Sequence, residues 1–364
     1  MTDVLRNGWI VRVALCGLAA MLVPVLGQPA QTPSPSFERK GEFVASDGDV
    51  TKVLIVDDRA LVVGIGPYTL YVWSIDRGAM LSQRTVQYPE NRLRDVTVCA
   101  SGKVLAYLVS GDQSEVVFAS FDTGQRVDVR TGEGIVGPAP TDKPGVGSWR
   151  LAAPGGTGAA IPIPRAVSLK ETSPGRLASV AVAYSSGAIQ VLDVGTGIAS
   201  TVNTGMTGLR EVTFNQQGAV AWAGANGYGT LNADGKPANT EFPNSSAWLT
   251  ANQWVMLSRR DGGLVVRTHD MKGAPPKDTF WKATGVEIDA LQPFGQRYFA
   301  MYSNGEVELR DAAGTPLGAR VTLPPAVTMS GIHVTDIAVS PRGRVAVARG
   351  RVVTAYQISG TVGR

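Results

Sequence analysis

Four acidic residues occupy similar places in the sequence, each within or beside a short stretch in which apolar and polar residues alternate. They are Asp95, Glu211, Asp289 and Asp336. If the segments that carry them converge on one axis, their carboxylates could bind a metal ion, which can activate a water molecule for hydrolysis. A structural role for each acidic residue is the competing interpretation. A metal-dependent hydrolase or lactonase is therefore kept only as an alternative.

Few other residues offer chemistry. The two histidines, His269 and His333, are far apart in the sequence, which argues against a histidine metal site or a catalytic triad. Cys99 follows an alternating apolar run, and we expect a small buried side chain there because no nearby thiol or histidine would activate it. The sequence predicts no catalytic residue, no cofactor and no metal ligand, and it favours a role other than catalysis.

Two groups of side chains could contact a partner protein. Trp149 and Arg150 lie in a segment rich in Gly and Pro, where a large aromatic ring could anchor a partner or hold the segment onto the fold. The densest basic cluster comprises Arg342, Arg344, Arg349 and Arg351. Alternate positions on paired strands could gather some of these arginines on one face, against an acidic partner or simply against solvent. We predict Trp149, Arg150, Arg342 and Arg344 as partner-binding residues.

The segments that position these residues repeat along the chain. Six short strand-like stretches end in an aspartate, at Asp76, Asp122, Asp193, Asp234, Asp270 and Asp311. A glycine follows each of them, at Gly78, Gly124, Gly195, Gly235, Gly273 and Gly314. An aspartate that caps its own backbone, followed by a glycine free to adopt positive φ, is typical of a hairpin turn. The repeat therefore predicts many short antiparallel strands.

The spacing of these turns suggests the architecture. Four of the five intervals between the aspartates are 46, 41, 36 and 41 residues, close to the period of four-stranded propeller blades. The fifth interval, 71 residues, is one blade plus surplus chain. We assign the surplus to an inter-strand insertion at about residues 133–174, which is rich in Gly, Pro and Ala; an additional degenerate blade is the alternative. The prediction is a single all-β propeller of seven four-stranded blades, with eight as the alternative.

A second pattern, typical of inner strands, precedes several of these segments. It recurs at Leu93–Val98, Leu209–Phe214 and Thr335–Val339, each followed by a glycine four residues later. The last copy also contains Gly331-Ile332-His333, then Asp336, and then Ser340-Pro341-Arg342-Gly343. It resembles the start of a WD40 repeat, in which Gly-His, a later Asp and Ser-Pro-Asp-Gly recur.

From about residue 48 to residue 358, the chain thus resembles WD40-like and YVTN-like bacterial β-propeller repeat proteins. The resemblance implies the fold and almost nothing about activity. It also implies that the repeated acidic residue stabilises the blade that carries it, and that the imidazole of His333 bonds within its blade.

Closure of the ring gives a separate expectation, because a ring of blades must not leave an unpaired strand at its seam. The C-terminal part of the chain supplies three strands, Asp336–Val339, Val345–Ala348 and Val352–Ile358. A fourth is available near the N-terminus, in Phe37–Ser46. We therefore predict that Phe37–Ser46 completes the last blade.

The amino-acid composition agrees with an all-β propeller. Hydrophobic residues make up 44% of the chain and charged residues 18%, which is enough apolar material for a large core. The chain also contains 43 Gly and 22 Pro, as expected for many tight turns. Removal of residues 1–27 would lower the formal charge from +4 to +3, which gives no reason to propose nucleic acid as a partner.

The first residues resemble a signal peptide. Arg6 and Arg12 precede Val13–Leu26, an uncharged run of fourteen residues that suits export and is short for a bilayer span. We predict a signal peptide at 1–27, a linker rich in Pro, Ser and Gln at 28–36, and the propeller at 37–364. Cleavage would remove Cys16 and leave Cys99 alone, so no intramolecular disulfide could form.

The sequence therefore favours an exported binding platform for another envelope or extracellular protein, in the periplasm or secreted. It predicts a monomer with no membrane span after cleavage. A propeller enzyme and a carbohydrate-binding module are the alternatives.

Overall fold

The computed structural model describes residues 35–86, 91–111, 114–136, 143–152, 154, 162–250, 252–260, 263–282, 286–323 and 335–359. The predicted signal peptide (1–27), most of the predicted linker (28–36) and His333 lie outside these residues. Among the described residues, no helix has the length and apolar character needed to cross a bilayer.

Nearly all of the described regular structure is β-strand. The first strand is β1 (Ser36–Val44), and a single 3₁₀ turn follows β2, at Asp57–Arg59. Blade 1 contains β2 (Lys52–Val56), β3 (Leu61–Ile65), β4 (Thr69–Ser74) and β5 (Ala79–Thr85). Blade 2 contains β6 (Arg92–Val98), β7 (Val104–Ser110) and β8 (Glu115–Ser120), then the small hairpin of β9 (Val127–Asp128) and β10 (Glu133–Gly134), and finally β11 (Ser148–Arg150).

The next three blades follow one another without interruption. Blade 3 contains β12 (Pro164–Ser173), β13 (Arg176–Tyr184), β14 (Ala188–Asp193) and β15 (Ile198–Asn203). Blade 4 contains β16 (Leu209–Phe214), β17 (Val220–Gly224), β18 (Gly227–Leu231) and β19 (Pro237–Glu241). Blade 5 contains β20 (Ser245–Leu249), β21 (Gln253–Arg260), β22 (Gly263–Asp270) and β23 (Lys277–Lys282).

Two further blades complete the ring. Blade 6 contains β24 (Ile288–Phe294), β25 (Arg297–Tyr302), β26 (Glu306–Asp311) and β27 (Pro316–Thr322). Blade 7 contains β28 (Thr335–Val339), β29 (Arg344–Arg349), β30 (Val352–Ser359) and, at its outer edge, β1. The chain is thus a propeller of seven four-stranded antiparallel blades, as the repeats predicted.

The first strand of each blade lies innermost. First strands of successive blades contact one another, as β6 contacts β12 and β28 contacts β2. Fourth strands such as β5, β15 and β19 are mostly exposed. The inner strands therefore surround the central channel. We call the face at which the inner strands begin the top face, and the opposite face the bottom face.

The N-terminal strand closes the ring, which confirms the predicted seam. β1 pairs antiparallel with β30, from Ser36 opposite Ser359 to Val44 opposite Val352. Gly41 lies at an irregularity in this pairing with φ of 151°, and a Cβ atom there would come within 2.9 Å of the Trp73 ring in blade 1. A glycine is thus required where the closing strand approaches the neighbouring blade.

The aspartate turns link the third and fourth strands at the bottom face. In blade 3, Asp193 Oδ1 accepts a hydrogen bond of 2.8 Å from the backbone N–H of Thr196. The glycine with positive φ in this turn is Gly197, at 71°, and not the expected Gly195. In blade 6, Asp311 caps the N–H of Thr315 at 2.7 Å, and Gly314 has positive φ as predicted.

The range 133–174 differs from the irregular insertion that its composition suggested. It includes β10, the outer strand β11 of blade 2 and the inner strand β12 of blade 3. The extra chain is instead divided between the segment before β11, which carries the β9–β10 hairpin, and the segment between β11 and β12. Proline at the first position of β12 and a three-residue β11 left the alternating pattern too weak to detect.

Candidate functional site

Three of the four acidic residues singled out in the sequence converge on Lys52, the first residue of β2. Lys52 Nζ lies 2.7 Å from Asp95 Oδ1 on β6 and 3.8 Å from Glu211 Oε2 on β16. Asp336, on β28, interacts electrostatically with the same ammonium group. We call Lys52, Asp95, Glu211 and Asp336 the channel cluster, because all four lie on inner strands.

The ion pair between Lys52 and Glu211 crosses the central channel. Blades 1 and 4 are separated by two blades on one side of the ring and by three on the other, so their inner strands can meet only across the axis. The side chains of Lys52 and Glu211 are 29% and 32% exposed, whereas that of Asp95 is 3% exposed. The cluster therefore bridges the channel, with Asp95 buried and with Lys52 and Glu211 mostly enclosed.

Two of the carboxylates also join neighbouring blades through the backbone. The N–H of Val167, on β12, donates to Asp95 Oδ2 at 2.7 Å. The N–H of Val53, on β2, donates to Asp336 Oδ2 at 2.8 Å. Each carboxylate thus accepts a hydrogen bond from the inner strand of the following blade. The role is structural, as the sequence resemblance implied, but these hydrogen bonds join each blade to the next one and do not lie within the blade that carries the acidic residue.

Burial inside the ring shifts the acid–base properties of the cluster. It raises the pKa of Glu211 to about 7, against the attraction of the Lys52 ammonium. It raises the pKa of Asp336 to about 6, although the hydrogen bond from Val53 opposes the shift. Burial alone would lower the pKa of Lys52, but the carboxylates of Asp95 and Glu211 raise it. The lysine therefore stays charged while two of its acidic neighbours titrate near neutral pH.

The cluster contains its own cation. The ammonium of Lys52 lies where an ion would have to sit to contact both Asp95 and Glu211, and a metal ion there would meet a like charge. Among the described residues, no group of three or more His, Cys, Asp or Glu side chains is arranged to hold a metal ion. The position of Lys52 favours a structural role for these carboxylates over metal binding.

Three arginines lie on the top side of the channel cluster. Near the start of the inner strand, the pairing of first and second strands shifts by one residue in blades 2, 3 and 4, and the extra residues there are Arg94, Arg165 and Arg210. A bulge of this kind redirects the side chain of the inserted residue. We call Arg94, Arg165 and Arg210 the arginine arc, since they occupy one position in three consecutive inner strands.

The members of the arc differ in their surroundings. Arg94 is half-buried, and its Nε donates to Ser110 Oγ at 2.5 Å. Burial lowers the pKa of Arg94, and the nearby charges of Arg165 and Arg92 lower it further. Arg165 and Arg210 are exposed and, within the described part of the chain, take part in no hydrogen bond or ion pair through their side chains. The arginine arc is thus a group of positive charges in which the side chains of Arg165 and Arg210 have unused hydrogen-bond donors.

Asp289 is displaced from the other acidic residues by one position. It is the extra residue at the bulge of β24 in blade 6, equivalent to Arg94 and not to Asp95. Its side chain is exposed. The sequence could not reveal this offset, because a bulge cannot be told from regular pairing in a single sequence.

The structure places Trp149 inside the protein and Arg150 outside it. Trp149, on β11, is 3% exposed and packs in the apolar core that blades 2 and 3 share. Arg150 is exposed at the outer edge of blade 2. The buried indole favours the interpretation that Trp149 holds its segment onto the ring, since a ring so enclosed is not available to anchor a partner.

The C-terminal arginines are divided between the two faces. Arg344 Nη1 lies 3.0 Å from Asp57 Oδ1, and Arg342 Nη2 lies 2.8 Å from Asp58 Oδ1, both across the bottom of the seam between blades 7 and 1. Arg351, near the top face, donates to the carbonyl oxygen of Ala45 at 2.8 Å. The arginines that are close together in the sequence therefore do not form one surface patch. Arg342 and Arg344 pair with acidic residues of the same chain.

The remaining candidates have packing partners. His269 Nδ1 is 3.0 Å from the Tyr228 hydroxyl, and its ring packs against Trp254. Cys99 is buried as expected, and burial raises the pKa of its thiol. Trp254 Nε1 donates to the carbonyl oxygen of Trp222 at 3.1 Å, which joins blades 5 and 4. These side chains stabilise the ring.

No protein-family model and no curated protein matches the sequence. Solved structures match it over most of its length. Raptor from Chaetomium thermophilum is similar with a TM-score of 0.64 and 15% identity over 92% of this chain, which spans 30% of the Raptor chain. The WD40 domain of Pan2 from Neurospora crassa has a TM-score of 0.62 and 12% identity, with coverage of 92% of this chain and 98% of that one.

The β-propeller domain of Cps50 (Swd1) from Myceliophteria thermophila has a TM-score of 0.60 and 11% identity, with coverage of 87% of this chain and 100% of that one. Identities this low show the fold alone. They confirm the fold-level resemblance to WD40-like propellers that the repeats indicated.

Proposed function

We propose that this chain is an exported protein-binding platform that acts in the bacterial envelope or outside the cell, and that its partner docks an acidic segment on the top face. The WD40-like fold fits a protein-interaction scaffold, because it presents many loops on one rigid ring. The observation that carries the proposal is the arginine arc at the top of a channel bridged by the channel cluster.

The geometry supports an acidic partner in two ways. First, positive charges are crowded at this level: burial lowers the pKa of Arg94, the charges of Arg165 and Arg92 lower it further, and an incoming carboxylate would relieve this repulsion. Second, the exposed guanidinium groups of Arg165 and Arg210 keep their donors free for a bidentate interaction with a carboxylate. Charge of this kind would also accelerate the encounter with an acidic partner.

We expect the double substitution Arg165→Ser and Arg210→Ser to weaken binding of a labelled oligoglutamate peptide by about tenfold at low salt, since each exposed charge pair contributes up to about 1 kcal/mol. Fluorescence anisotropy would measure the dissociation constant. Both side chains are exposed, so the melting temperature should stay close to that of the unaltered chain.

A matched control removes two positive charges from the bottom face instead. Arg77 and Lys272 are exposed in turns on the bottom face, and their joint substitution by Ser should leave the affinity within about twofold. If both double variants lost affinity equally, binding would reflect the overall charge and not the arc. If neither did, the top face would not be the binding site for acidic segments.

Export rests on the N-terminal sequence, in which two arginines precede an uncharged run. We expect the chain, when produced with its own N-terminus in a bacterium, to appear outside the cytoplasm as a species beginning at Gln28. Intact mass measurement of the periplasmic and medium fractions would detect it. Recovery of the chain only in the cytoplasm, with residues 1–27 still attached, would contradict export and leave the binding proposal standing.

A further inference from the structure

A cavity of about 330 Å³ opens between blades 1 and 2. Its apolar lining comes from the buried side chains of Leu70 on β4, Leu93 on β6 and Val117 on β8, together with Val109. This volume lies at the lower end of the range typical of small-molecule sites. None of its lining residues belongs to the channel cluster or to the arginine arc.

The cavity also contains a guanidinium group without a partner. Arg84, on β5, is half-buried, and its Nη1 atom is fully enclosed yet makes no hydrogen bond within the described part of the chain. Burial lowers the pKa of Arg84. An enclosed arginine normally pairs with an acidic group, because an unpaired buried charge is costly. An anionic group that enters the cavity would supply this partner.

Three more ionisable side chains line the same space. Tyr107, on β7, and Arg126 line the cavity with Arg84, and the charges of Arg126 and Arg84 act on the Tyr107 hydroxyl. Glu115, on β8, is the one acidic residue among the described lining. No hydrogen bond or ion pair of the Arg126, Tyr107 or Glu115 side chains is found within the residues that the structure describes. Two guanidinium groups thus face one carboxylate, which leaves a net positive charge beside an apolar floor.

We infer that this cavity binds an amphipathic carboxylate, whose anionic end pairs with Arg84 and Arg126 and whose apolar body rests on Leu70, Leu93 and Val117. A planar carboxylate can accept two parallel hydrogen bonds from a guanidinium group. The hydroxyl of Tyr107, another lining residue, supplies a further donor. The apolar floor excludes a bare inorganic anion as the best ligand, because such an ion would leave that surface unfilled.

The carboxylate could belong to a free organic acid or to the C-terminus of a protein. Isothermal titration of the full chain with hexanoate, and separately with a short peptide ending in leucine, distinguishes these sources. We expect at least one of the two to bind, and its neutral counterpart, hexanamide or the amidated peptide, to bind at least about tenfold more weakly. Binding of hexanoate assigns the cavity to small acids, and binding of the peptide alone assigns it to a C-terminus. If neither acid binds, or if the amides bind equally well, the inference is wrong.

Substitution of Arg84 separates a ligand-binding role from a structural one. Arg84→Met should reduce the affinity for the carboxylate about tenfold or more while leaving the melting temperature unchanged or raising it, because it removes an unpaired buried charge. Arg77→Met, an exposed arginine in the adjoining turn of blade 1, is the control and should change neither property. A lower melting temperature of Arg84→Met with unaltered carboxylate affinity would show that Arg84 only stabilises the blades.

Discussion

Deletion of β1 from the full chain is expected to abolish the cooperative unfolding transition of the ring. Without β1, the edge of β30 is unpaired and the core between blades 7 and 1 is open to water. Phe43, which is 7% exposed, leaves that core, and loss of a buried phenylalanine alone costs about 3–5 kcal/mol. A whole domain is typically stable by about 5–15 kcal/mol. Differential scanning calorimetry would show the missing transition.

Point substitutions on the same strand provide the controls. Phe43→Ala should lower the free energy of unfolding by about 3 kcal/mol, whereas Lys40→Ala, whose ion pair with Glu38 is at the surface, should change it by less than about 0.5 kcal/mol. A synthetic peptide of residues 35–46 should restore the transition of the deleted chain by pairing with β30. A deleted chain that melts at the temperature of the full one would show that the ring closes without β1.

The sequence was sufficient to predict the ring and its closure. The aspartate turns recur at nearly constant spacing because each blade repeats one local structure, and local structure leaves a local sequence pattern. The seam was predictable as well, since three C-terminal strands require a fourth partner and Phe37–Ser46 has the composition of a strand. Both predictions depend on short-range pattern and on strand pairing.

The candidate site was predictable only in part. The convergence of Asp95, Glu211 and Asp336 followed from their repeated position on inner strands, but Lys52 did not, because its partners belong to blades 2, 4 and 7 and meet only after closure. The arginine arc had a visible signal in Leu93-Arg94-Asp95 and Leu209-Arg210-Glu211. The signal was interpreted as strand alternation alone, because a bulge cannot be told from regular pairing in one sequence.

Loss of the Lys52 charge from the channel cluster is the second change expected to have a large effect on stability. Lys52→Met should lower the free energy of unfolding by about 3 kcal/mol at neutral pH, because it leaves the buried carboxylate of Asp95 without its positive partner. Lys272→Met, on an exposed turn, is the matched control and should be neutral within about 0.5 kcal/mol. Urea denaturation followed by circular dichroism would measure both values.

The pH dependence of the free energy of unfolding tests whether Lys52 stabilises the ring through its charge. The pKa values of Glu211 and Asp336, about 7 and about 6 in the folded ring, lie above the ordinary values of these side chains, 4.5 and 3.8, so the native state binds the extra protons. Their contribution to stability is therefore full at low pH and is lost as the pH rises through the folded pKa values. The Lys52 ammonium offsets that loss, so its removal should cost more at about pH 8 than at about pH 5. Adding Glu211→Gln to Lys52→Met should recover part of the stability at the higher pH. Equal losses at both pH values, without recovery, would show that Lys52 acts through the packing of its methylene groups.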